Sequence, residues 1–251
     1  MKTEWQELRI AGAFLTRFPV ARGVEAPPER LGRSMAFFPA VGLILGLGLV
    51  VLNWALGAFL PRAVLDCLLI LLLIAATGAL HLDGMADLVD GLAGGKDREG
   101  ILRIMKDSRV GAMGVIGLVM VLLLKYLSLY NLPEGYKAAA LLFMPCAGRW
   151  IQVVLASFCR YIRPEGGTGG AFVDHAGERE FLIGTATLLL AALVLFGLKG
   201  IFLVFLIGLA AMVLLRFFEA RLGGVTGDVL GAATEVVEVL TLLLMLAVLG
   251  A

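Results

Sequence analysis

Apolar residues run through this chain in long blocks, and the polar residues are gathered into short stretches between them. A helix that crosses ~30 Å of hydrocarbon needs about 20 residues. Seven blocks meet or approach that length: residues 35–60, 63–80, 110–130, 138–158, 181–198, 200–215 and 229–250. The first has no charge, the second only Asp66 near its start, and the third Lys125 near one end. The fourth carries Arg149 in its middle, and the last has Glu235 and Glu238 in its first half. A GLKG turn around Lys199 joins the fifth and sixth, and a different partition there gives six or eight spans. Ahead of the first block, Trp5, Leu8, Ala11, Leu15 and Phe18 recur at helix-like intervals, which predicts an amphipathic helix on the membrane surface. Residues 21–34, with Pro27 and Pro28, form a polar approach to the first span. The expected fold class is therefore all-α: a polytopic transmembrane helix bundle of about seven spans with an N-terminal interfacial helix. It makes one membrane domain over residues 1–251, with residues 1–34 as the interfacial segment.

Composition narrows the class. The chain is 60% hydrophobic and 16% charged, with a mean hydropathy of +0.96. A soluble domain carries roughly a quarter charged residues. The net charge of +1 gives no reason to expect nucleic acid as a partner. Cys67, Cys146 and Cys159 are odd in number and lack CxxC spacing, which predicts neither a disulfide framework nor a zinc site. The first apolar run starts too far in, and is too long, for a cleaved signal core, so none is expected. Gly42, Gly46 and Gly48 suit close helix packing. Seven spans put sixteen Lys and Arg residues on one side and only Arg62, Lys137 and Lys199 on the other. That bias predicts a cytoplasmic N-terminus, a C-terminus outside and a multi-pass protein of the cell (inner) membrane.

Candidate chemistry is concentrated between residues 81 and 114, HLDGMADLVDGLAGGKDREGILRIMKDSRVGAMG. This stretch holds eleven of the 41 Asp, Glu, Lys and Arg residues of the chain. Charge at a span end is costly unless solvated or paired, so the cluster reads as a site on the cytoplasmic face, within residues 81–109. Asp83, Asp87 and Asp90 are spaced by four and three and share one helix face. Asp228, Glu235 and Glu238, spaced by seven and three, do the same. Carboxylates gathered this way repel unless a cation sits among them or one is protonated. An all-oxygen set suits a hard cation such as Mg²⁺, which takes its other ligands from water and substrate phosphates. The basic run from Arg98 to Arg109 then supplies phosphate contacts. Acids for a metal and bases for a diphosphate outline a phosphoryl or phosphodiester transferase. Two other classes compete. A secondary transporter uses buried acids for ion coupling, but near the midplane and often in inverted repeats, and none is visible here. A non-catalytic scaffold needs no aligned acids.

HLDGMADLVDGL followed by RIMKDSRVGAMGVIGL resembles the signature of the cobalamin synthase family, the adenosylcobinamide-GDP ribazoletransferases. LTRFPV, FFPAVGLILG, Arg149 and GGVTGDVLGAATEVVEVL resemble further family segments in the family's order, so the resemblance covers nearly the whole chain. It implies a Mg²⁺-dependent transfer that joins adenosylcobinamide-GDP to α-ribazole, or to its 5′-phosphate, with release of GMP. The partners it implies are those two substrates and membrane lipid; it leaves room for a homo-oligomer and for contact with other cobalamin-assembly enzymes. On this reading Asp83, Asp87, Asp90, Asp228, Glu235 and Glu238 hold metal, and Asp83, His81 and Glu235 are catalytic. Arg103, Lys106, Ser108, Arg109 and Arg149 bind substrate. Alternatives stay open at several positions: Glu238 as the ion-pair partner of Arg149, Ser108 as a helix cap, His81 as a structural residue. Residues 166–172, GGTGGAF, are expected to form a substrate loop.

Overall fold

The computed structural model describes residues 2–163 and 168–250, and nearly all of them are helical. The expected spans appear as α3 (Phe38–Leu56), α4 (Arg62–Thr77), α7 (Ala112–Asn131), α8 (Glu134–Phe158), α10 (Glu178–Phe196), α11 (Leu198–Leu222) and α12 (Gly227–Leu249). Among the described residues six helices are long and apolar enough to cross a membrane; α4, with 16 residues, reaches that standard only jointly with α5 (Leu80–Gly94), to which it stands at 91°. The protein is thus a multi-pass membrane bundle of six or seven spans.

The first polar segment folds as α1 (Lys2–Leu15) and α2 (Pro28–Ser34). Helix α1 stops short of the apolar pattern's end because Thr16 Oγ1 accepts the Phe18 N–H and Pro19 follows. It buries Ile10, Ala11 and Leu15 and leaves Trp5 exposed. Residues 81–109, the stretch expected to hold the site, are mostly α5 and α6 (Arg98–Ile104). The turn between α4 and α5 is made by two residues at positive φ, Gly78 at 64° and Ala79 at 59°. At Gly78 the positive φ favours glycine, and the Arg17 side chain lies against its open face. The three cysteines are free. The fifth and sixth spans meet at Gly197 alone, and α11 runs on past the expected end at residue 215, so Arg216 and Arg221 are helical.

Helix α8 is the axis of the bundle. It is buried along almost its whole length and packs against α3, α10 and α12. Small residues permit these contacts: a Cβ on Gly42 would sit 2.4 Å from Pro145 O, and one on Gly46 would sit 2.5 Å from Leu141 O. Lipid gives no hydrophobic drive between spans, so close backbone approach supplies the packing energy. The same device joins α5 to α12, where a Cβ at Gly84 would lie 2.6 Å from Asp228 O. One isolated parallel bridge, Tyr161 to Val225, is the sole β pairing among the described residues. It ties the segment after α8 to the segment before α12, with Val225 N–H donating to Arg160 O at 2.9 Å and Ile162 N–H donating to Val225 O at 3.1 Å.

Gly42→Val is expected to destabilise the protein by about 3 kcal/mol, the upper end for overpacking, because backbone is the obstacle. Gly48→Ala, with nothing within 4 Å of the new methyl, is expected to be silent. Thermal unfolding in detergent distinguishes them; equal midpoints would refute this packing.

Candidate active site

The two acidic sets do not converge as whole sets. Along α12, ten residues of rise separate Glu238 from Asp228 by ~15 Å. Asp228 therefore lies at the helix start, beside Thr226, whose hydroxyl caps α12 by accepting the Val229 N–H at 3.3 Å. Glu235 and Glu238 lie deep in the bundle, both buried.

At the helix start, Asp83 and Asp228 line one cavity of about 300 Å³ with His81, Gln152, Tyr161 and Arg163. The close α5–α12 crossing at Gly84 brings the two carboxylates there. Asp87 lies close enough to feel the charges of Asp228, Asp83 and Asp90. Arg163 Nη2 donates to Asp228 Oδ2. Asp90 has both oxygens committed: the N–H groups of Gly111 and Gly114 donate to it at 2.6 and 2.7 Å, so it caps the N-terminus of α7. Ser108 is not that cap; the N-cap of α7 is Gly111.

In the bundle, Lys125 Nζ donates to Glu235 Oε2 and Glu238 Oε2, each at 2.6 Å, and Arg149 Nη1 donates to Glu238 Oε1. Two cations and two carboxylates thus cancel inside the spans. An unpaired charge at this depth is expensive, and a compensated set is far less so. His81 connects this network to the cavity: its ring lies 3.5 Å from Arg149 Nη2 and 3.0 Å from Gln152 Nε2, and Gln152 in turn donates to Thr234 Oγ1 at 2.9 Å.

The basic residues divide differently from the sequence expectation. Arg103, Lys106, Ser108 and Arg109 are exposed on α6 and the turn after it. Arg109 pairs with Asp107 at 2.7 Å, and its hydrogen bonds hold the Asp107 carboxyl down at about 2, so the pair stays charged at any physiological pH. Arg163 lines the Asp83–Asp228 cavity, and Arg98 and Arg160 join it around an adjoining one. Arg160 and Arg163 entered the sequence reading only as topogenic charge; the signal available was their spacing of three just past the end of a span. Lys125 carried the stronger signal, a lone cation within an apolar span. Of the expected substrate loop, Gly166 and Gly167 lie outside the described residues, while Gly169 and Phe172 line the Asp83–Asp228 cavity.

The donor set fits a hard cation in one respect. Asp83, Asp87 and Asp228 offer only oxygen and repel each other. Among the described residues no three of His, Cys, Asp or Glu close into a ready-made cage. Mg²⁺ needs none, since it is commonly held by one or two carboxylates with substrate phosphates and water completing its shell.

The family model described as Cobalamin-5-phosphate synthase matches residues 7–246. An adenosylcobinamide-GDP ribazoletransferase from Geotalea daltonii is 42% identical over 96% of this chain and 97% of its own length. Relatives of the same name from Pseudomonas fluorescens (41%, over 93% and 96%) and Acetivibrio thermocellus (36%, over 92% and 93%) are similar at full length. No solved structure matches.

Lys125→Met is expected to cost about 3–5 kcal/mol, because it leaves Glu235 and Glu238 facing each other without a shared cation. Adding Glu235→Gln, which leaves Arg149 and Glu238 balanced, is expected to recover at least half of that loss. Unfolding midpoints in detergent test this; a double variant no more stable than the single one would show that the network is not the reason.

Proposed function

The chain belongs to the cobalamin-5-phosphate synthase family, an enzyme family that transfers a substituted phosphate group, and from that membership we propose its reaction: adenosylcobinamide-GDP and α-ribazole, or α-ribazole 5′-phosphate, are joined with release of GMP. The observation that carries the reading is the cavity in which Asp83 of α5 and Asp228 of α12 stand together beside Arg163. The ribazole 3′-hydroxyl attacks the phosphorus attached to cobinamide. A new P–O bond forms, the P–O bond to GMP breaks with its electrons leaving on GMP, and the hydroxyl proton passes to a carboxylate of the cavity. The product is adenosylcobalamin or its 5′-phosphate.

Asp83, Asp87 and Asp228 are the proposed holders of Mg²⁺, which when bound neutralises charge on the reacting diphosphate. Asp90 acts by fixing α7 against α5. His81, held between Arg149 and Gln152, sets the start of α5 and so the position of Asp83. Glu235, Glu238 and Arg149 act from beneath, through His81, and not on substrate. Arg103, Lys106 and Arg109, exposed at the mouth, draw in the anionic substrate. The chain's part in catalysis is alignment and fixed electrostatics. The N-terminus and the active site are proposed to face the cytoplasm from the inner membrane, as the basic bias favours.

Asp83→Asn is expected to insert and fold normally but to lower GMP release from adenosylcobinamide-GDP and α-ribazole by about two orders of magnitude or more, as loss of a transition-state electrostatic contact does. Wild-type turnover in this variant at limiting Mg²⁺ would remove Asp83 from the site, and wild-type protein that releases no GMP would favour a transporter. A reporter fused after Ala251 is expected to be inactive if it requires the cytoplasm; activity there would put the C-terminus inside and point to six or eight spans.

A further inference from the structure

Beside the Asp83–Asp228 cavity is a second, of about 290 Å³, lined by Arg98, Arg160, Tyr161, Ile162 and Arg163. Its walls carry three guanidinium groups and, among the described residues, no carboxylate side chain. Arg98 comes from the first turn of α6, and the other two from the strand-like segment that the Tyr161–Val225 bridge holds in place. Arg160 Nε donates to Gly223 O at 2.8 Å, which points the rest of its head group over that glycine. Arg98 arrives at the same spot: a Cβ on Gly223 would lie 3.5 Å from Arg160 Nη2 and 3.8 Å from Arg98 Nη1. Gly223 has φ of +76°, so glycine is favoured there by the backbone. Neither Arg98 nor Arg160 forms an ion pair with a described residue. Two like charges brought together without a counter-charge make an anion site in waiting, and guanidinium forks match phosphate oxygens.

We propose that Arg98 and Arg160, with Arg163 at their edge, bind the 5′-phosphate of the ribazole acceptor. This rests on the transfer reaction proposed above. A diphosphate that shares a metal belongs among carboxylates, in the neighbouring cavity. A phosphate monoester carries about −1.5 to −2 at pH 7 and needs no metal, only donors. The two cavities share Tyr161 and Arg163. A ribose lying across that shared wall places its 3′-hydroxyl toward Asp83 and Asp228 and its 5′-phosphate toward Arg98 and Arg160. Arg163, donating to Asp228 and lining both cavities, links the two ends.

The test is the ratio of kcat/KM for α-ribazole 5′-phosphate to kcat/KM for α-ribazole, with GMP release as the readout, in wild type, Arg98→Ala, Arg160→Ala and Arg160→Lys. Arg98 is exposed and makes no ion pair with a described residue, so its removal is expected to leave the fold intact and decides the matter if Arg160→Ala does not accumulate. The wild-type ratio is expected to exceed one and to fall about tenfold or more in both alanine variants, with partial recovery in Arg160→Lys. A ratio that stays constant, whether both rates fall together or neither does, overturns the proposal. So does a constant ratio with a raised KM for adenosylcobinamide-GDP, which would assign the arginines to the donor's diphosphate. Wild-type protein that releases no GMP with either acceptor would instead remove the transfer reaction itself.

Discussion

Two cations and two carboxylates shut inside a membrane bundle constrain everything around them. Lys125 belongs to α7, Arg149 to α8, and Glu235 and Glu238 to α12. None of the four is tolerable alone at that depth, so the three helices come together at one register, in which all are paired. A slip of one turn, ~5.4 Å along any helix, would strand at least one charge. That register fixes Arg149, which with Gln152 holds His81, and His81 begins the helix that carries Asp83, Asp87 and Asp90. The acids of α5 are thus positioned by charges buried beneath them.

Glycine supplies the second constraint. The acids of α5 and α12 meet only because Gly84 lets one backbone lie on the other, and α8 reaches α12 only because a Cβ at Gly148 would lie 2.6 Å from Glu238 Cγ. The site is built by close approach in the spans and by a β bridge at the surface, with α5 turned away from α4 at Gly78 and Ala79 so that its acids lie across the mouth of the bundle.

Much of this was legible in the chain. The apolar blocks gave the spans because hydrocarbon thickness sets their length, and the spacing of Asp83, Asp87 and Asp90 gave a helix because periodicity is local. What stayed hidden was depth and partnership. The arc shared by Asp228, Glu235 and Glu238 is real, but an arc records angle and not rise, and ~10 Å separates Asp228 from Glu235 along α12. Asp90 reads as a ligand by spacing, yet its oxygens are taken by an N-terminus twenty residues on, a pairing no local pattern encodes. Arg160 and Arg163 read as topogenic charge because the bridge that carries Arg160 to Gly223 and Arg163 to Asp228 joins segments more than sixty residues apart. Lys125 was visible as a cation in a span, but its partners were not.

In the function proposed here the ion site lies between α5 and α12, and the deeper carboxylates are structural. Mn²⁺ binding followed by electron paramagnetic resonance, in the presence of adenosylcobinamide-GDP, tests it directly. Asp83→Asn and Asp228→Asn are each expected to weaken binding about tenfold or more, within the 10–100-fold typical of perturbed metal sites. Folded Glu235→Gln protein is expected to bind as wild type does. Binding that survives loss of both aspartates and disappears with Glu235 would place the ion in the bundle and contradict the account.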